Sequence, residues 1–101
     1  MTSPKFKIEF ISKDAEKDYL ALDGSIRPMV DKGIARLALR ADEIGKQLTG
    51  SLSGCRELKF RADGIRIIYR IVRGRVEIVQ IVAIGQRDKG KSFAMARKRL
   101  D

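Results

Sequence analysis

Phe6, Ile8 and Phe10 alternate with Lys5, Lys7 and Glu9, and this period of two, with charge on the off positions, predicts a half-buried first strand. The period then changes. Ser12 offers an N-cap, Asp14 and Glu16 suit the positive end of a helix, and Ala15, Tyr19 and Leu22 recur on one face, so a short helix ending near Asp23-Gly24 is expected. Ser25 is the expected cap of a second helix, with Pro28 tolerated in its first turn and Ile26, Val30, Ile34, Leu37, Ala41 and Ile44 as its apolar stripe. The two helices should form a hairpin lying on a sheet. Gly45, Gly50 and Gly54, interleaved with Ser and Thr, predict a loop of about ten residues before the next strand.

From Cys55 onward the alternation returns and sorts two sets of side chains to opposite sides. Leu58, Phe60, Ile65, Ile67, Tyr69 and Ile71 fall on one side of the predicted hairpin, and Lys59, Arg61, Arg66 and Arg70 on the other, with Glu57 as the single acid among them. Asp63-Gly64 and Arg73-Gly74 sit between strand-like runs as tight connections, which predicts three successive antiparallel strands. The third, from about Arg75 to Ile84, is apolar at Val76, Ile78, Val79, Ile81, Val82 and Ile84, so it should lie centrally with both faces covered and end at Gly85. Ser92 is the expected cap of a last helix carrying Phe93, Ala96 and Leu100 on one side and Arg97, Lys98 and Arg99 near its end. The predicted order is β-α-α-β-β-β-α, an α+β fold in one domain spanning residues 1–101.

Charge adds a partner class to this picture. Lys and Arg number 22 against 13 acids, a net charge of +9. In so small a domain this points to nucleic acid, an anionic membrane surface or an acidic protein, without choosing among them. Cys55 is the only cysteine, so no internal disulfide is possible and a reduced thiol in a cytoplasmic protein is expected. The N-terminus shows no apolar run of signal-peptide type, and no stretch approaches the ~18 apolar residues of a membrane span.

The chain contains no histidine, no cysteine cluster and no paired carboxylates at metal-ligand spacing, and its glycines match neither a P-loop nor a dinucleotide fingerprint. No metal or cofactor is expected. A cationic sheet face with one acid suits phosphodiester chemistry, since arginines hold a phosphate and stabilise the added charge of a pentacoordinate transition state. RNA supplies its own nucleophile, the 2′-hydroxyl. A base, an acid for the leaving 5′ oxygen and a charge clamp then complete the parts needed.

Phe10 with Ala15, Leu22, the run from Leu48 to Lys59, Gly64-Ile65-Arg66-Ile67-Ile68-Tyr69, Gly85-Gln86-Arg87-Asp88 and Ala96-Arg97-Lys98-Arg99-Leu100 together resemble the RelE/ParE superfamily of toxins from bacterial type II toxin-antitoxin pairs, the RelE branch above all. The resemblance covers most of the chain. It implies a small antiparallel sheet with an N-terminal helical hairpin, cleavage of mRNA in the ribosomal A site by 2′-hydroxyl attack without metal, and as partners a cognate antitoxin, the ribosome and mRNA.

Carried onto this sequence, the resemblance implies that Lys59, Arg66 and Arg87 clamp the phosphate and transition state, Arg87 also near the leaving group, and that Glu57 acts as general base. Arg61, Arg70, Lys89 and Lys91 would add RNA contacts. Phe93 stands where many relatives have a tyrosine, which keeps a stacking platform for a base and removes the hydroxyl. Read from the residues alone, Glu57 also suits a cross-strand ion pair with Arg61 or Arg66, Arg87 a pair with Asp88 or a helix end, and Phe93 core packing with Ala96 and Leu100. Two further functions fit the same resemblance: a ParE-like toxin that binds and poisons DNA gyrase without cutting RNA, and a toxin remnant with weak catalysis.

Overall fold

The alternating segments become strands because each has one apolar side to bury, and the helices supply the surface that buries it. The computed structural model describes residues 4–61, 64–86 and 90–100. In chain order the elements are β1 (Lys7–Phe10), α1 (Lys13–Leu20), α2 (Arg27–Arg40), β2 (Lys46–Gln47), a 3-10 turn (Gly50–Leu52), β3 (Cys55–Phe60), β4 (Ile65–Val72), β5 (Ile78–Gln86) and α3 (Lys91–Leu100). The strands form one sheet in the order β1-β5-β4-β3-β2. β3, β4 and β5 run antiparallel as the turn residues require, whereas β1 pairs with β5 in parallel, Lys7 opposite Ile78 and Phe10 opposite Ile81.

One side of the sheet carries Leu58, Ile65, Ile67, Tyr69, Val79 and Ile81 and is covered by the helical hairpin through Val30, Leu37 and Ala41. α2 sits close because Gly33 has no side chain: a Cβ there would lie 2.3 Å from Phe60 Cζ. The buried Tyr69 hydroxyl donates toward the carbonyls of Ala41 (2.9 Å) and Ile44 (2.8 Å), which takes up acceptors left open where α2 ends. Burial pushes its pKa up to about 12. Gly45 turns the chain beside it with φ +80, and a Cβ at that position would lie 2.5 Å from the Tyr69 hydroxyl.

The opposite side, which carries the cations, is not an open charged surface. Cys55, Ile68, Val82 and Ala83 lie buried there with Leu52 and Ala96 as a second apolar cluster beneath α3. A bulge makes room for it. The β4–β5 register shifts between Ile68 and Tyr69, which face Ala83 and Ile81 respectively and leave Val82 as the extra residue. The nearly continuous apolar run of β5 thereby serves both clusters.

Several local expectations change. Ser12 caps α1 as expected, accepting from Ala15 N–H at 3.2 Å, but Ser25 caps nothing. The entry to α2 is closed by Asp23, whose carbonyl accepts from Ile26 and Arg27 and whose carboxylate accepts from Ser25 N–H; the helix starts at Arg27 with no side-chain cap. The predicted glycine-rich loop contains β2 and the 3-10 turn, because Leu48 N–H reaches the Cys55 carbonyl and extends the sheet. Val76 is exposed and outside β5, which begins at Ile78 and runs past Gly85 to Gln86. No helix among the described residues is long and apolar enough to cross a membrane.

Candidate functional site

The register of β3 against β4 sets the site. Lys59 is paired with Arg66 across the two strands, so both side chains leave the sheet on the α3 side, and Glu57 leaves it on the same side one pleat along. The Glu57 side chain is only 4% exposed, and its two oxygens lie between the two cations. Lys59 Nζ is 3.3 Å from Oε1 and Arg66 NH1 is 3.3 Å from Oε2. The Arg66 contact is an ion pair without hydrogen-bond alignment: among the described residues neither Glu57 Oε2 nor Arg66 Nε has a hydrogen-bond partner, although both atoms are buried. Glu57 Oε2 keeps its ion pair with Arg66 NH1, so what the pair lacks is an aligned hydrogen bond, a state also found at Arg27 Nε and Asp42 Oδ1 among the described residues.

α3 closes the site from above, and a glycine lets it approach. Gly85 lies opposite Arg66 in the β4–β5 ladder, and a Cβ at Gly85 would be 2.6 Å from Ser92 Oγ. Ser92 therefore lands on the sheet; its hydroxyl donates to the Gln86 carbonyl at 3.2 Å, so it anchors α3 and does not cap it. The next residue is brought over Arg66: the guanidinium carbon lies 4.3 Å from the centre of the Phe93 ring, a cation–π contact of ~0.5–2 kcal/mol. At its other end α3 is held by Arg99, which pairs with Asp18 of α1 at 2.6 Å and donates to the Val82 carbonyl at 2.9 Å. Asp18 in turn accepts from Ile84 N–H at 3.2 Å. The pair thus bonds to β5 where its pairing with β1 has ended.

Glu57, Lys59, Arg66 and Phe93 are thus brought together. Arg70 is not among them, since it stands farther along β4 opposite Cys55 and Gln80 and donates to the Gln80 side chain at 2.6 Å. Arg61 is exposed just past the end of β3, and Lys91 is exposed at the start of α3. Arg87 and Lys89 lie outside the described residues. Ser92, Gly85 and the Asp18–Arg99 pair went unforeseen as supports of the site; the one available signal was Gly85 directly after the apolar run Ile81–Ile84, since a glycine in a strand marks a close approach. Cys55 is buried, and desolvation raises its thiol pKa, so it is a packing residue and a poor nucleophile.

A family model described as the ParE toxin of type II toxin-antitoxin systems, parDE, matches residues 10–89. The chain belongs to this toxin family, within the RelE/ParE superfamily. Among similar proteins, the toxin is 25% identical over 96 residues, 95% of its length and 98% of the relative's, to a putative RelE-like toxin protein of Escherichia coli. It is 23% identical over 86 residues to the mRNA interferase toxin RelE of Escherichia coli strain K12, covering 85% of the toxin and 88% of the relative. Its fold is that of RelE. A free E. coli RelE bearing two arginine-to-alanine substitutions superposes with a TM-score of 0.78 at 22% identity, covering 96% of the toxin and 99% of that chain. A chain of the toxin-antitoxin complex RelBE2 from Mycobacterium tuberculosis superposes with a TM-score of 0.70 at 22% identity, covering 85% of the toxin and 95% of that chain.

Proposed function

We propose that this toxin is a ribosome-dependent mRNA endonuclease that cuts by attack of the RNA's own 2′-hydroxyl, with no metal in the reaction. The observation that carries the reading is the Glu57 carboxylate, 4% exposed, held between Lys59 and Arg66 at 3.3 Å each, with an oxygen and an Arg66 nitrogen still unsatisfied among the described residues. An incoming phosphodiester competes with Glu57 for the two cations. Arg66 Nε and Lys59 Nζ donate to the non-bridging oxygens, and the freed Glu57 oxygen accepts the 2′-hydroxyl proton. The 2′-oxygen forms a bond to phosphorus as the bond to the 5′-oxygen breaks, and the departing 5′-oxygen takes a proton from water, which leaves a 2′,3′-cyclic phosphate and a 5′-hydroxyl. Arg87 is assigned to the charge developing on the leaving side. Phe93 holds Arg66 in place from one face of its ring.

Partners follow from the same reading: the ribosome and mRNA as target, and a cognate antitoxin as neutraliser, as in the RelE–antitoxin complexes the fold resembles. A second reading, binding and poisoning of DNA gyrase without RNA cleavage, is favoured by the family model that matches. Expression from a repressed promoter with mapping of mRNA 5′ ends separates the two. Cuts inside translated frames that vanish when translation is blocked are expected; growth arrest without cuts would favour the gyrase reading.

A further inference from the structure

Phe93 has a second neighbour besides Arg66. The same residue lines a cavity of about 200 Å³ whose other walls are Leu48, Thr49, Ser51 and Leu52, from the β2 segment and the 3-10 turn, and Arg97 of α3. The chemistry of these walls is mixed in a specific way. Leu48 and Leu52 belong to the apolar cluster under α3, Arg97 adds a cation, and Thr49 and Ser51 bring two hydroxyls. Thr49 occupies the N-cap position of the 3-10 turn, where a threonine hydroxyl ordinarily bonds to the backbone, yet it makes no cap hydrogen bond. Two leucines, an aromatic ring, and hydroxyls able to donate or accept suit a heteroaromatic ring with polar edges.

We propose that this cavity is a nucleobase subsite for the nucleotide flanking the scissile phosphate, and that Thr49 and Ser51 read the edge of that base and so set the sequence preference of cleavage. The proposal rests on the nuclease reading and deepens it. Phe93 connects them, since it touches the Arg66 guanidinium and also lines the cavity, so a strand whose phosphate meets Lys59 and Arg66 can place its adjoining base in the cavity. Arg97 at the rim offers a charge for the next phosphate along the strand.

The test is to map cut sites in translated messages for the parent chain, for the Thr49→Val, Ser51→Ala double variant, and for Ser51→Trp, which fills the cavity from an exposed loop position. The readout is the relative use of the four bases beside the cut within each sample, which does not depend on total activity. The parent should show a preference, and the double variant should shift it by about fivefold, the scale of one or two net hydrogen bonds. Ser51→Trp should depress cutting beside purines more than beside pyrimidines. An unchanged base profile in both variants, or a parent without preference, would overturn the subsite while leaving the nuclease reading intact. Loss of antitoxin neutralisation with an unchanged profile would assign the cavity to the antitoxin instead. A parent that makes no cuts overturns both.

Discussion

Glu57 is the residue on which the sequence and the structure bear most differently. Alternation placed it on the cation side of the hairpin, and register arithmetic alone left Arg61 and Arg66 as possible partners. The structure joins it to Arg66 and Lys59 and buries it, because Ile68 on the same side draws α3 down over the strand. Glu57→Gln keeps the shape and removes the negative charge, so cleavage should fall by ~10²–10⁴-fold, the usual worth of a general base, while the fold persists by circular dichroism. Arg66→Ala should abolish growth inhibition and lower stability by ~1–3 kcal/mol in urea denaturation, since Glu57 then keeps Lys59 alone. Fully toxic, folded variants would sink the site assignment. Tyr69 gives a pH signature of the core. Its folded pKa of about 12 lies above the ordinary value of 10.0, so the folded state retains its proton where the unfolded chain loses it. The contribution is full below pH ~10 and disappears as pH rises from there toward ~12. Tyr69→Phe should flatten that alkaline loss, and an unchanged slope would show that the hydroxyl is not the group responsible.

At the scale of elements, strands and helices were legible because each has one apolar side in the right period. The hairpin stripes at Val30, Leu37 and Ala41 and the alternation of β3 and β4 stand where the pattern put them. What was not legible depends on partners distant in sequence. The parallel pairing of β1 with β5, the β4–β5 bulge and the Asp18–Arg99 tie join segments whose local sequence carries no mark of one another. Capping misled for a related reason: Ser25 and Ser92 look like caps, but Asp23 already closes one turn and a sheet contact claims the other hydroxyl. Gly85 belongs to this scale, since it fixes the height of α3 above β5. Gly85→Ala should displace Ser92 and with it the Phe93 ring over Arg66. Reduced cleavage is expected with a melting temperature lowered by only a few degrees, on the order of 1 kcal/mol. Full activity in that variant would show that α3 does not position Arg66.

For the whole molecule, a charge of +9 on 101 residues gave the class of partner but not the partner, since charge attracts any polyanion. Ribosome association should weaken as salt rises, with a log–log slope of roughly −0.7 for each single-strand phosphate that the cations neutralise. Association indifferent to salt would remove the electrostatic basis of the account. The candidate site could be located in the sequence through its β3–β4 parity and family resemblance, whereas its closed, buried form required the second apolar cluster that the alternation alone did not reveal. The most direct test is the chemistry of the ends produced when purified toxin acts on translating ribosomes. Cuts within the reading frame that leave 2′,3′-cyclic phosphate and 5′-hydroxyl termini, and that are lost with Glu57→Gln, are expected. Ends bearing 5′-phosphate, or growth arrest with intact messages, would contradict the proposed cleavage.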